Sequence, residues 1–217
     1  MAARTTSDRT ETSRVEAFSD GVFAIAITLL VLDLKVPRGL RAGASLTAAL
    51  LAQWPSYFAF LTSFLTIGIM WLNHHRLYTL IRRSDHVLLL LNALLLLGVT
   101  IVPFPTALVA AYLGAPQEST AVAVYSGTFV VIAICFNGLW HYAAWRLRLL
   151  GPEVDGDAVR AQGRQYAGGP ILYLVAFALA WTSPVTSLAV NFALALFFAL
   201  PPRILLTRSG TATGELG

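Results

Sequence analysis

The side chains best able to do chemistry fall in two short stretches, residues 14–20 (RVEAFSD) and residues 70–76 (MWLNHHR), each running into an apolar segment. After Asp20 the chain reads GVFAIAITLLVLDL, with no other ionisable group before Asp33. A carboxylate at that position in an apolar helix is costly unless something meets it, so it faces protein or a cavity. Arg14, the Trp71 indole Nε1, His74 and His75 are the available partners, and spacing leaves all four open. His74 and His75 are adjacent, about 100° apart on a helix, and cannot chelate a metal as an i, i+4 pair would. The histidines His74, His75, His86 and His141 show no HExxH or comparable spacing. Catalysis needs a nucleophile, base or metal ligands that converge. No catalytic residue, metal site or cofactor is therefore assigned, and the chain is not read as an enzyme. The single cysteine, Cys135, excludes an internal disulfide and cysteine-rich metal motifs.

Asp20 must be carried by a helix. Ser13 followed by Glu16 has the spacing of a capping box and predicts a helix start there. A start at Ser19 or Asp20 would leave about 14 residues, roughly 21 Å, too short for a hydrocarbon core of about 30 Å. Starting near Val15 gives about 20 residues and a full crossing. On a wheel with Ile25 at zero, Leu29 falls near about 40°, Leu32 near about 340° and Phe18 near about 20°, one stripe. Asp20, near about 220°, lies on the other side with Phe23, Ile27, Leu30 and Leu34. The Asp20 side is expected to pack against the chain's own helices, leaving the Ile25 stripe for something else.

With 57% hydrophobic and 12% charged residues and a mean hydropathy of +0.69, the chain is a multi-spanning membrane protein rather than a soluble domain. The first dozen residues are polar, with no apolar core or cleavage pattern, so no removable signal peptide is expected. The pattern predicts an all-α membrane domain over 13–206 with six spans, about 15–34, 55–76, 86–112, 119–147, 168–182 and 184–206. Polar tails at 1–12 and 207–217 flank it. Pro37, Gly39 and Gly43 mark the first loop, and Pro55 separates a short interfacial helix around 46–53 from the second span. The third span kinks or ends at Pro103 and Pro105. A polar linker is expected over 149–165. Trp54 and Tyr57 suit one interface, and Trp140, His141, Tyr142 and Trp145 suit the opposite one.

Six spans put both termini on one side. All but Lys35, Arg38 and Arg41 of the 15 Lys and Arg residues then fall on the side of the termini, so the termini are expected to be cytoplasmic in a cell inner membrane. This bias accounts for a pI near 9.6 without nucleic acid. Arg82-Arg83 and Arg146-Arg148 are read as topology determinants or anionic-lipid contacts. The same topology brings residues 70–76 to the depth of residues 14–20. Gly68, Trp71 and His75 share a face there, and the glycine would allow close helix approach.

RVEAFSDGVFAIAITLLVLDL together with WLNHHR resembles the signature of the transmembrane protein 175 family of potassium channels, in its prokaryotic branch. The Phe18-Ser19-Asp20 triplet preceded by Arg14 is the family hallmark, and Trp71, His74 and His75 belong to the second motif. The resemblance is specific over about the first 80 residues. It implies six spans per subunit and a homotetramer whose first helices line a central pore. By position, Ile25, Leu29 and Leu32 would form the constriction, and Thr28 a layer linked with potassium preference. No cofactor is implied; potassium is the permeant ion, and the partners are other copies of the chain, lipids and monovalent cations.

Such a pore holds no TVGYG-like loop and no acidic ring, so branched apolar rings would gate by dewetting, with modest potassium preference from the Thr28 hydroxyls. By spacing alone the Ile25 stripe would be an ordinary lipid or packing face. Asp20 is read as a structural bond between helices rather than a gate or proton sensor. The competing function is a secondary transporter of a small cation or proton-coupled solute. It would need broken helices, for which Pro103-Phe104-Pro105 and Gly168-Gly169-Pro170 are the candidates.

Overall fold

The computed structural model describes residues 2–40, 43–145, 149–150 and 156–200, and the described elements are helical, joined by turns and short extended segments. They run α1 (Ala2–Leu29), a 3-10 turn (Leu30–Asp33), α2 (Leu46–Leu51), α3 (Trp54–Leu80), α4 (His86–Ile101), α5 (Pro103–Tyr112), α6 (Glu118–Trp145), α7 (Gly156–Leu179) and α8 (Pro184–Ala199). Four segments are long and apolar enough to cross a membrane: Glu11–Asp33, Trp54–Leu80, His86–Tyr112 and Glu118–Trp145. The 16-residue α8 is apolar but shorter. The chain is thus an all-α integral membrane protein.

Local chemistry sets most boundaries. Ser45 caps α2 by accepting from the Ala48 amide, and Asp85 caps α4 by accepting from Leu88 N at 2.9 Å. Pro55 and Pro184 lie in the first turns of α3 and α8, where their missing N–H costs nothing. Gly39, Gly43 and Gly114 adopt positive φ in the loops after α1 and α5.

Several expectations are corrected. The first helix starts at Ala2, so Ser13 lies mid-helix rather than at its start, and the expected polar tail is a helical extension. Residues 2–12 contain no Gly or Pro, and a helix already nucleated by its apolar half continues through them. The expected linker is also partly helix, since α7 begins at Gly156 and runs unbroken past Gly168-Gly169-Pro170. Pro170 has no N–H for the Tyr166 carbonyl one turn back; the Asn137 side-chain amide donates to it instead, at 2.8 Å. At the other candidate break, Val102 keeps helical angles of φ −51° and ψ −38°, so the α4–α5 junction is a kink and not an unwound segment. Neither site offers the exposed backbone that a transporter's broken helices use. Trp140 is not in an interface belt but buried, edge-on to Tyr166 at 5.3 Å, and Tyr142 donates to Asp85 at 2.7 Å. Trp54, Tyr57 and Trp145 are exposed. The chain beyond 200, with the tail 207–217, residues 151–155 of the linker, and Arg41, Arg146 and Arg148 lie outside the described residues.

Inside, α6 packs against α4, α5, α7 and α8, while α1 packs against α3 and α4. Apolar packing between helices gains little over packing against lipid tails, so buried hydrogen bonds fix the arrangement. Ser63 Oγ lies 2.7 Å from Thr106 Oγ1 and 3.2 Å from the Tyr125 hydroxyl, tying α3 to α5 and α6. Ser126 and Ser187, 3.0 Å apart, join α6 to α8 with Asn191.

Candidate functional site

The first helix is held by one flank only. Ser19, Phe23, Ala26 and Leu30 are buried, following the helical period. Trp71 Nε1 donates to Asp20 Oδ1 at 2.8 Å. One turn further toward the N-terminus of α1 and toward the C-terminus of α3, His75 Nδ1 lies 2.8 Å from Glu16 Oε1. The Trp71 and His75 rings stack with centroids 6.0 Å apart. Of the four open partners for Asp20, the structure selects the indole, a donor with no protonation state to lose. Arg14 instead lines a groove between α1 and α4, together with Glu11 and Phe18. Gly68 does not bring the helices close, because a Cβ added there would meet nothing within 4 Å. The Trp71 side chain spans the distance instead.

Beneath this pair lies a second, fully buried set. Ser19 Oγ donates to Val15 O at 2.8 Å and accepts from Asn92 Nδ2 at 3.0 Å. His74 Nε2 sits 2.9 Å from Asn92 Oδ1. With the Asn92 amide nitrogen committed to Ser19, its oxygen accepts, which assigns the proton to His74 Nε2. The imidazole is packed between Phe23, at 5.3 Å, and Tyr78, at 4.5 Å. Ser19, Asn92 and His74 thereby join α1, α4 and α3 at one point. Sequence reasoning missed two members of this site. Glu16 has the capping-box spacing from Ser13, which hides its bond to α3, and Asn92 stands alone among leucines, where the signal is that a lone amide in LLLLNALLLL must find a partner when buried.

The other flank of α1 carries no such bonds. Phe18, Ile25, Leu29 and Leu32 are 67%, 60%, 42% and 64% exposed, so no segment among the described residues covers the stripe. Thr28 is exposed beside it, its hydroxyl donating to Ile25 O at 2.9 Å. The structure thus brings Ser19, Asp20, Trp71, His74 and His75 together and leaves Ile25, Thr28, Leu29 and Leu32 facing away. Among the described residues no three His, Cys, Asp or Glu side chains gather as a metal site would require. The polar cluster is built to hold α1 in a fixed rotation, and the rotation presents a greasy face outward.

A family model described as "Endosomal/lysosomal potassium channel TMEM175" matches residues 14–103, which include both polar stretches and Asn92. A potassium channel of Chamaesiphon minutus is 55% identical over 194 residues, covering 89% of this chain and 96% of that protein. A potassium channel of Streptomyces collinus is 46% identical over 203 residues, covering 93% and 98%. The crystal structure of a lysosomal potassium-selective channel TMEM175 homolog from Chamaesiphon minutus matches with a TM-score of 0.80 at 53% identity, over 88% of this chain and 97% of that one.

Proposed function

The chain belongs to the TMEM175 family of potassium channels, and from that premise we propose that four copies assemble around an axis lined by α1 and the 3-10 turn that continues it, with Ile25, Leu29 and Leu32 forming the constriction. It conducts potassium, and as an ion channel it is not an enzyme. The observation that carries the pore assignment is the division of α1 into a pinned flank and an unpaired apolar one. Leu29 follows Ile25 by four residues and Leu32 follows Leu29 by three, so the rings stack at about one turn each. Below a certain width such rings shed water and present ions with a barrier, and widening them is what opens the path.

Thr28 supplies the hydroxyl nearest the constriction and is the selectivity residue of the proposal. Its present bond to Ile25 O uses only its proton, leaving the oxygen's lone pairs for a partly dehydrated cation. We read α7 and α8 as the fifth and sixth spans, which puts both termini on the cytoplasmic side of the inner membrane. The distribution of Lys and Arg supports that orientation. A bi-ionic reversal potential, potassium against sodium, on purified protein in planar bilayers tests the function. Passive currents with a reversal displaced toward the potassium equilibrium are expected; saturating, counter-ion-driven flux without channel openings would contradict it.

A further inference from the structure

The 3-10 turn that continues α1 ends beside the last ring of the constriction. Leu34 leaves the helical conformation with φ −80° and ψ 100°, and its amide closes on Val31 O at 3.1 Å. The next carbonyl, Leu32 O, accepts from Lys35 Nζ at 2.8 Å. A basic side chain at a helix C-terminus supplies the donor that the departing backbone withholds, and the helix dipole favours a cation there. The bond uses one of three ammonium protons and holds the charge against the backbone of Leu32, whose side chain lies exposed on the stripe. Lys35 is itself exposed, and among the described residues no carboxylate lies within ion-pair distance of it. Asp33, two residues earlier, feels its charge without pairing with it and is half-buried, in a turn that packs on α3 and α5. Arg38, exposed in the same loop, adds to the positive sign. The other end of the stripe differs. With Ile25 at zero, Glu11 falls near about 40° and Arg14 near about 340°, both exposed, so the described side chains there carry charges that cancel.

We propose that Lys35 governs how fast potassium enters the pore from the mouth farther from the termini. In the tetramer proposed above, on which this inference rests, four tethered ammonium groups form a positive collar beside Leu32. The collar lowers the local potassium concentration, and because the opposite mouth has no such excess the channel conducts unequally in the two directions. Packed helices lie about 8–10 Å apart, which puts each ammonium roughly 10 Å from a fourfold axis. Four unit charges at that distance in water deplete a monovalent cation roughly sevenfold at about 0.01 M salt, about threefold at about 0.1 M and hardly at all at about 1 M. The apolar rings set the barrier inside the pore; the collar sets the supply of ions to one end of it.

Single-channel currents of the full-length channel in planar bilayers test the collar. In symmetric potassium chloride at about 0.1 M, Lys35→Gln should raise current entering from that mouth about threefold and current entering from the other much less, and at about 1 M the gain should vanish. Lys35→Cys, with Cys135→Ala removing the other thiol, keeps the test decisive should Lys35→Gln fail to assemble, because the channel is modified while it conducts. Aminoethyl methanethiosulfonate, which leaves a positive group on the thiol, should restore the parent's asymmetry, and the sulfonatoethyl reagent, which leaves a negative one, should reverse it. Each should act from one chamber only, which identifies the mouth. A loss of the cap alone would change currents equally at both salt concentrations; that result, or currents indifferent to the charge at residue 35, would overturn the collar. Ile25→Asn separates this failure from failure of the pore: if it alters conductance while the charge at residue 35 does not, the collar alone falls, and if neither does, both fall.

Discussion

On one flank of α1, Ser19, Phe23, Ala26 and Leu30 are buried and Asp20 is bonded to Trp71, whereas on the other Ile25, Leu29 and Leu32 stay exposed and carry no polar atom. Both flanks belong to α1 and the 3-10 turn that continues it, and both are largely apolar, so hydropathy does not separate them. What separates them is where the hydrogen bonds go. In a membrane, where apolar surface is at home against lipid, a few polar contacts fix a helix's rotation, and the opposite face is aimed as a consequence. Substitutions on the two flanks should therefore fail differently: the pinned flank in folding and assembly, the exposed flank in permeation.

The largest effect should come from Asn92→Leu. It leaves Ser19 Oγ without its donor and His74 Nε2 without its acceptor, both buried, at about 1–3 kcal/mol each. Unfolding of the detergent-solubilised protein should show most of that loss, with little oligomer surviving. Asp20→Ala should cost less, about 1 kcal/mol, because it removes one hydrogen bond from the partly exposed Trp71 indole, and Asp20→Asn should recover much of it by restoring an acceptor. Thermal midpoints ranked parent, Asn, Ala would bear this out; an Asp20→Ala protein of parental stability but altered ion preference would break the contrast between flanks. Thr28→Ala, on the exposed flank, should leave stability within about 0.5 kcal/mol and reduce potassium-over-sodium preference by a small factor, read as a shift in bi-ionic reversal potential.

Much of this was legible in the chain. The 3.6 period alone separates Ile25, Leu29 and Leu32 from Phe23 and Leu30, and the cost of a lone carboxylate requires a partner for Asp20. The partner itself was not legible. Four groups lay within reach by topology, and only the side-chain directions on α3 distinguish Trp71 from its neighbours. Asn92 escaped because a single amide barely alters the hydropathy of eight surrounding leucines, although burial makes its bonds decisive. The candidate break at Gly168-Gly169-Pro170, which a transporter would have needed, stays helical for a long-range reason: the donor that replaces the missing amide is Asn137, on another helix. Local rules locate the unsatisfied carbonyl; the fold supplies its partner.

The central claim, that the exposed flank of α1 lines the conducting path, is tested most directly by the single-channel conductance of Ile25→Asn in reconstituted bilayers. A polar ring should hold water in the constriction, so conductance should rise severalfold, a barrier change of about 1 kcal/mol, with weakened ion preference and near-parental stability. A correctly assembled Ile25→Asn channel with the parent's conductance and the parent's ion preference would contradict it.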